Sequence, residues 1–308
     1  MSEAKGLQPG TLPIRHMVQL AHDLLPFDSA DCKDKIILDV GCGPGQVTEH
    51  LLEEYRSSLF PISGDHHNNH NHKTHILASD FSAPMIAQLT SRKEKEIAKG
   101  NGIWECVDAK VCDAQDLGMM VRDRVASHVF ANLVLFMLPE PRQGLSEMKR
   151  VLGRGGVAAC TSWRGSEWID LMRVGAASAS ASAEGKQEEE EEIGAGDEEK
   201  VKGKGKGKME IPKEWSSAEG VRREMEDVGF VDVQVVESEA RWDFESHEGI
   251  VDLILGFPGM EIMVGESWGE GGREKAREGM LGWMRERFSR GEGALTGVAI
   301  VGVGRKGV

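Results

Sequence analysis

With 308 residues, 40% of them apolar, the chain can fill the core of one large α/β domain with additions or of two small domains. A net charge of −14 argues against nucleic acid as an obligate partner. Nine acids and two lysines between Glu184 and Lys200 supply half of that charge, so the rest of the chain is only mildly acidic. Five cysteines (Cys32, Cys42, Cys106, Cys112, Cys160) include no C-x-x-C pair, and their odd number fits reduced thiols inside a cell. Met1–Gly6 lacks the apolar run of a secretory leader and no apolar stretch approaches about 18 residues, so a cytoplasmic protein without a membrane span is expected.

From Thr11 the apolar positions Leu12, Ile14, Met17, Val18, Leu20, Ala21, Leu24 and Leu25 form a helical stripe that Pro26 ends. The chain then reaches its most informative stretch. Ile36-Ile37-Leu38-Asp39-Val40 reads as a buried parallel strand. Gly41, Gly43 and Gly45 follow at alternate positions, and Val47, Leu51 and Leu52 then recur at helical spacing. This is strand, glycine turn, helix. Glycines permit the sharp turn and the close approach of a ligand to the main chain, and the helix N-terminus offers unpaired N–H groups. A dinucleotide fingerprint would be G-x-G-x-x-G, but here Gln46 takes the place of the third glycine of that fingerprint. Asp39 at the strand end would repel a pyrophosphate and suits the cationic amine of a methionine moiety.

The string Asp39-Val40-Gly41-Cys42-Gly43-Pro44-Gly45 resembles motif I of the class I methyltransferases that use S-adenosyl-L-methionine (SAM). That resemblance implies SAM as cofactor and S-adenosylhomocysteine as product. It also implies an α/β, Rossmann-like fold: a seven-stranded, mostly parallel sheet with helices on both faces and an antiparallel last strand. In such enzymes a helix before motif I often covers the pocket, and residues 1–30 are assigned to that cap; plain packing of the helix on the sheet edge accounts for its pattern equally well. Residues 31–177 would form the SAM-binding core, and residues 1–308 together a single methyltransferase domain.

The polar stretch Arg56–Lys73 contains His66, His67, His70 and His72, but its low-complexity composition fixes no coordination geometry. It is read as a solvated loop, and no metal site is assigned. His75–Ser82 is the second strand, ending at Asp80, whose carboxylate suits a ribose diol of either NAD or SAM. In the resemblance, Phe81 and Met85 lie where an apolar residue packs beside adenine; Ser82 also suits a helix N-cap. The third strand is placed over Gly102–Val111. Asp113 after it is either a turn-forming aspartate or, as the resemblance implies, the acceptor for the adenine amino group, with the Ala114 N–H at a ring nitrogen.

Val125–Leu138 holds the fourth strand. By resemblance the chain from Asn132 onward passes under the methionine part of the cofactor and begins the acceptor pocket, with apolar Phe136 and Met137 as its floor. His128 within the strand reads as a core histidine. Leu145, Met148, Val151 and Leu152 share one helix face, and Arg150–Gly156 resembles the family's turn into a fifth strand, Val157–Trp163. Residues 178–210 hold too few apolar groups to offset the cost of ordering and are read as a disordered charged insertion. Residues 211–308 complete the sheet and cap the acceptor: a capped helix ending at Gly229, a strand over Val231–Glu237, helices over Phe244–Phe257 and Arg273–Phe288, and a last strand over Ala294–Val303.

Ser162-Trp163, Trp168-Ile169 and Trp215-Ser216-Ser217 are similar to fungal small-molecule methyltransferases, the gliotoxin thiomethyltransferase group in particular. Trp163 and Trp168 join Phe136 and Met137 as acceptor-pocket candidates. A small-molecule acceptor is expected, a secondary metabolite or xenobiotic methylated on a thiol, since a thiol ionises near about 8.5 and needs little help. N- or O-methylation, and a SAM-binding regulatory protein that docks through its charged insertion, are the alternatives. A nicotinamide oxidoreductase is disfavoured by Gln46 and Asp39. No general base stands out, and oligomeric state is not read from the sequence.

Overall fold

A computed structural model describes residues 11–29, 35–60, 74–180, 210–256 and 271–307. Thr11–Leu24 is helix α1, Lys35–Val40 strand β1, Gln46–Glu54 α2 and Arg56–Leu59 the single turn α3. Thr74–Asp80 (β2), Ala83–Ala98 (α4), Val107–Val111 (β3) and Ala126–Asn132 (β4) follow. Then come Pro141–Val151 (α5), Leu152–Ser166 (β5), Glu167–Ser180 (α6), Ala218–Val228 (α7) and Phe230–Phe244 (β6). His247–Leu255 (α8), Gly272–Arg287 (α9) and Gly293–Lys306 (β7) complete the order.

The strands form one seven-stranded sheet in the order β3-β2-β1-β4-β5-β7-β6. β1 pairs in parallel with β2 and β4, β2 with β3, and β4 with β5; the last strand is antiparallel. The strand order reverses between β1 and β4. In an open parallel sheet the crevice beyond the strand C-termini at that point is where ligands bind.

The described residues divide into two compact units. The sheet unit comprises Pro9–Gly165, Ile211–Ala240 and Val298–Val308. Side-chain alternation along its strands produces two apolar layers. Ile37, Ile76, Phe130 and Val157 pack with α1, α2 and Leu89 of α4. Leu38, Val129, Ala158 and Ile300 pack with α5, α7 and Trp215. Ile14, Met17, Val18 and Ala21 of α1 are buried in the first layer. In the second unit, α6, α8 and α9 pack together. Glu167 accepts hydrogen bonds from Arg287 Nε (2.6 Å), Thr296 N (2.6 Å) and Thr296 Oγ1 (2.9 Å), tying the start of α6 to the end of α9 and the start of β7.

Several expected boundaries move, each for a local reason. Gly102–Cys106 winds as a 3₁₀ turn that buries Trp104, so the third strand is only Val107–Val111. The fourth strand stops at Asn132 because Leu133 takes a left-handed backbone (φ 59°), and Leu135–Met137 form a further 3₁₀ turn. The expected helix at Phe244 begins at His247, where the Ser246 hydroxyl caps it by accepting the Gly249 N–H (3.0 Å); Phe244 ends β6. Ser178–Ser180, assigned to the charged insertion, are the last turn of α6, their hydroxyls at 178 and 180 donating to the carbonyls of Val174 and Ala176. The rest of that insertion up to residue 209, and the His-rich stretch 61–73, lie outside the described residues. The capped helix is as expected: Ser217 accepts the Gly220 N–H and Gly229 turns left-handed at φ 89°.

Candidate cofactor site

The C-terminal ends of β1, β2, β3 and β4 bring together most of the residues singled out in the sequence. The turn after β1 has three left-handed glycines, Gly41 (φ 63°), Gly43 (φ 52°) and Gly45 (φ 92°). They do different work. A Cβ on Gly41 would lie 2.3 Å from Val134 Cγ2, and one on Gly45 would lie 2.4 Å from Leu89 Cδ1. Both are therefore needed for packing. A Cβ on Gly43 would meet only Gln46 Oε1, at 3.8 Å, so this glycine leaves open space above the turn that a side chain would fill.

Asp39 is fully buried under the turn. Its Oδ2 accepts two hydrogen bonds, from the Thr48 N–H (3.1 Å) and the Thr48 hydroxyl (2.7 Å). Thr48 is the third residue of α2, whose N-cap, Gly45, has no side chain to satisfy the first-turn N–H groups. The aspartate thus caps α2 from the neighbouring strand. Its Oδ1 is buried with no partner. Burial raises the Asp39 ionisation to about 6; the Thr48 bonds pull it down and the Asp80 charge adds to the rise. Burial also pushes the Cys42 thiol far up, helped by Asp39 and Asp80.

Asp80, the last residue of β2, accepts the Gly43 N–H on Oδ2 (2.9 Å) and the Ser82 N–H on Oδ1 (2.8 Å). It braces the glycine turn against the entry to α4. Ser82 occupies the N-cap of that helix, but its side chain makes no capping bond. Phe81 beside it is 61% exposed, unusual for a phenylalanine at the end of a buried strand, and Met85 is half-buried in the first turn of α4. The exit from β3 is tied to β2 by the Cys112 N–H donating to the Asp80 carbonyl (3.0 Å). Asp113 is exposed and closes a turn by accepting the Gln115 N–H (2.8 Å), while Ala114 is buried.

At the end of β4, Thr161 of β5 donates its hydroxyl hydrogen to Asn132 Oδ1 (2.8 Å) and accepts the Leu133 N–H (2.8 Å). That pair of bonds holds the left-handed Leu133. Phe136 and Met137 follow in the 3₁₀ turn, Phe136 half-buried and Met137 exposed. Trp163 is buried in β5 of the sheet unit; Trp168 is buried in the first turn of α6, in the second unit. His128 is 1% exposed. Its Nε2 lies 2.9 Å from the Leu25 carbonyl and its Nδ1 3.0 Å from the Ser127 hydroxyl, and the ring forms a cluster with those of Phe27 and Phe130. Burial lowers its ionisation to about 4, so it is neutral near pH 7. It is a core histidine. Among the described residues no three His, Cys, Asp or Glu side chains gather as metal ligands would, and no helix is long and apolar enough to cross a membrane.

The residues present fit a cationic nucleoside ligand: open space over Gly43, an unpartnered carboxylate oxygen beneath the turn, and an acidic strand end at β2. The structure adds Thr48 and Thr161, which hold Asp39 and Asn132. Their signals were a threonine at the third position of a glycine-started helix and a polar residue amid the apolar run of β5.

Comparison with known proteins agrees. Residues 38–160 match the family model described as a methyltransferase domain. The methyltransferase ucsB of Acremonium is 27% identical over 293 residues, covering 95% of this chain and 88% of that protein. The methyltransferase tpcH of Aspergillus fumigatus is 29% identical over 138 residues, 45% of this chain and 42% of that one. Among solved structures, the YcgJ protein of Bacillus subtilis superposes with a TM-score of 0.51 at 13% identity, covering 96% of this chain and 98% of that one, a likeness of fold. Residues 38–160 thus carry a methyltransferase domain on a Rossmann-like sheet, and these matches support a SAM-dependent enzyme of class I.

Proposed function

We propose that the chain transfers the methyl group of SAM to a small-molecule acceptor, a secondary metabolite or xenobiotic, and that the acceptor atom is a thiol sulfur. When bound, the cofactor supplies an already activated methyl on a sulfonium. The chain's residues then have to hold the cofactor, align the acceptor and exclude water. Asp39 and the Gly41–Gly45 turn would hold the methionine end, with Asp39 opposite its amine. Asp80 would take the ribose hydroxyls on the lone pairs left free by its two backbone bonds. Phe81 and Met85 would flank the adenine, Asp113 and Ala114 would meet its polar edge, and Asn132 would lie under the methionine. Phe136, Met137 and Trp163, all apolar, would begin the acceptor pocket.

The observation that carries the thiol reading is the state of His128. It lies on the strand that leads to the acceptor side, yet both its nitrogens are engaged and burial keeps it neutral. A phenol, ionising near about 10, would gain much from a positioned base; a thiol near about 8.5 gains less. The test is a methyl-transfer screen offering thiol, amine and phenol acceptors. Turnover concentrated on thiols supports the reading. Turnover confined to phenols or amines refutes the thiol, and cofactor binding without turnover on any acceptor favours a regulatory SAM-binding role.

A further inference from the structure

Asp39 stands in surroundings that favour its neutral form. Its sheet neighbours in register are Ala78 of β2 and Phe130 of β4, which carry no charge. The titratable groups that bear on it are the Asp80 carboxylate at the end of β2 and the Cys42 thiol in the turn, neither of them a cation. Against burial and a like charge, what favours the ionised form is the pair of bonds from Thr48 of α2, at 3.1 and 2.7 Å to a single oxygen. Hydrogen bonds to an ionised acceptor are the strong ones, and they fix orientation as well as charge.

We propose that Thr48 is a positioning residue for the cofactor: its hydroxyl keeps the Asp39 carboxylate charged and fixed beneath the glycine turn, where that charge attracts the cofactor's ammonium group. This rests on the assignment of Asp39 to the cofactor amine made above. Thr48 touches neither cofactor nor acceptor in this role; it acts through Asp39. The Thr48 backbone N–H serves α2 whatever the side chain is, so replacing the hydroxyl by a methyl removes one bond of the pair and leaves the capping bond to the main chain.

The experiment is calorimetric titration of wild type, Thr48→Val and Thr48→Ser with S-adenosylhomocysteine, from about pH 5 to about pH 9. 5′-Methylthioadenosine, which has the nucleoside and sulfur without the amino acid, is the control ligand. Wild-type affinity should rise as Asp39 ionises near about 6, and fall at the alkaline end as the ligand's own α-amine loses its proton. Loss of one hydrogen bond to a charged group should move the acid limb of the Thr48→Val profile to about pH 7–8 and leave the alkaline limb in place. Near pH 6.5 that is a loss of about threefold to twenty-five-fold. Thr48→Ser should restore the wild-type profile, and 5′-methylthioadenosine should bind all three proteins alike. A Thr48→Val curve lowered evenly with its acid limb unmoved, or equal weakening of the control ligand, would assign Thr48 to packing alone and overturn the proposal. A wild type that binds without an acid limb would overturn the Asp39–amine assignment itself, and no binding at all would remove the cofactor site on which both rest.

Discussion

Asp39→Asn should cost the protein its cofactor affinity and change its stability in a pH-dependent way that can be worked out in advance. Asp39 ionises near about 6 when folded, against 3.8 for a free aspartate. Because the folded value is raised, the protonated form favours the native state. The penalty for holding the charge is absent at low pH and complete once the pH has passed the folded value. At about pH 7.5 it amounts to about 3 kcal/mol, set by the gap between the folded and free values. Asparagine removes the charge but places an NH₂ group where Oδ1 has no partner, and an unsatisfied buried donor costs about 1–3 kcal/mol. The net gain near neutrality is therefore about 0–2 kcal/mol. The difference between two pH values escapes that offset. On going from about pH 7.5 to about pH 5, wild type recovers about 1 kcal/mol through Asp39, and the variant recovers none of it. His128 works in the opposite sense: its folded value is depressed to about 4 from 6.5, so its contribution is lost as the pH falls through 6.5. It does so in both proteins and cancels. Urea unfolding of wild type and Asp39→Asn at the two pH values measures the difference directly. Parallel stabilities at both would refute the buried, pressured state of this carboxylate.

The glycines of the turn should separate. Gly43→Ala pays for its left-handed backbone, about 1–2 kcal/mol, and should fold while losing cofactor affinity; Gly41→Ala drives a methyl into Val134 and should lower the melting temperature further, and a reversal of that order in thermal melts would contradict the division of labour. His128→Gln, if its role is in the core, should lower stability and leave the pH profile of methyl transfer in place; loss of a profile limb at unchanged SAM affinity would make it a base. Thr161→Val releases both Asn132 and the Leu133 N–H and should destabilise by about 1–3 kcal/mol with weakened cofactor binding by calorimetry; unchanged binding would take Asn132 out of the site. Glu167→Gln weakens a carboxylate shared by Arg287 and Thr296 and should destabilise the protein without changing affinity for S-adenosylhomocysteine.

The strand–turn–helix around Asp39 was legible because its constraints are local: a β-branched run, three glycines that only left-handed turns require, and a helical stripe. The fold followed from the order of similar units, and parallel pairing of β1 with β2 and β4 is what carries Asp39, Asp80 and Asn132 to one edge. What stayed hidden depends on contacts between distant residues. Nothing local stops the run from His128 to Leu138 being one long strand; it ends at Asn132 because a hydroxyl 28 positions away captures the Leu133 N–H. In the same way Asp80 read as a ribose ligand, and its bonds to Gly43 and Ser82 show it also braces the turn. Asp39 read as a partner for the ligand's amine, and its two bonds from Thr48 show that it also caps α2 from beneath the turn.

The central claim is that this glycine turn with its buried carboxylate selects the adenosyl-methionine class of ligand over dinucleotides. Calorimetric titration of the full chain with SAM, S-adenosylhomocysteine and NAD tests it most directly. Saturable binding of both sulfur ligands with none of NAD is the predicted result. Binding of NAD without SAM or S-adenosylhomocysteine would contradict the account at the residues on which it is built.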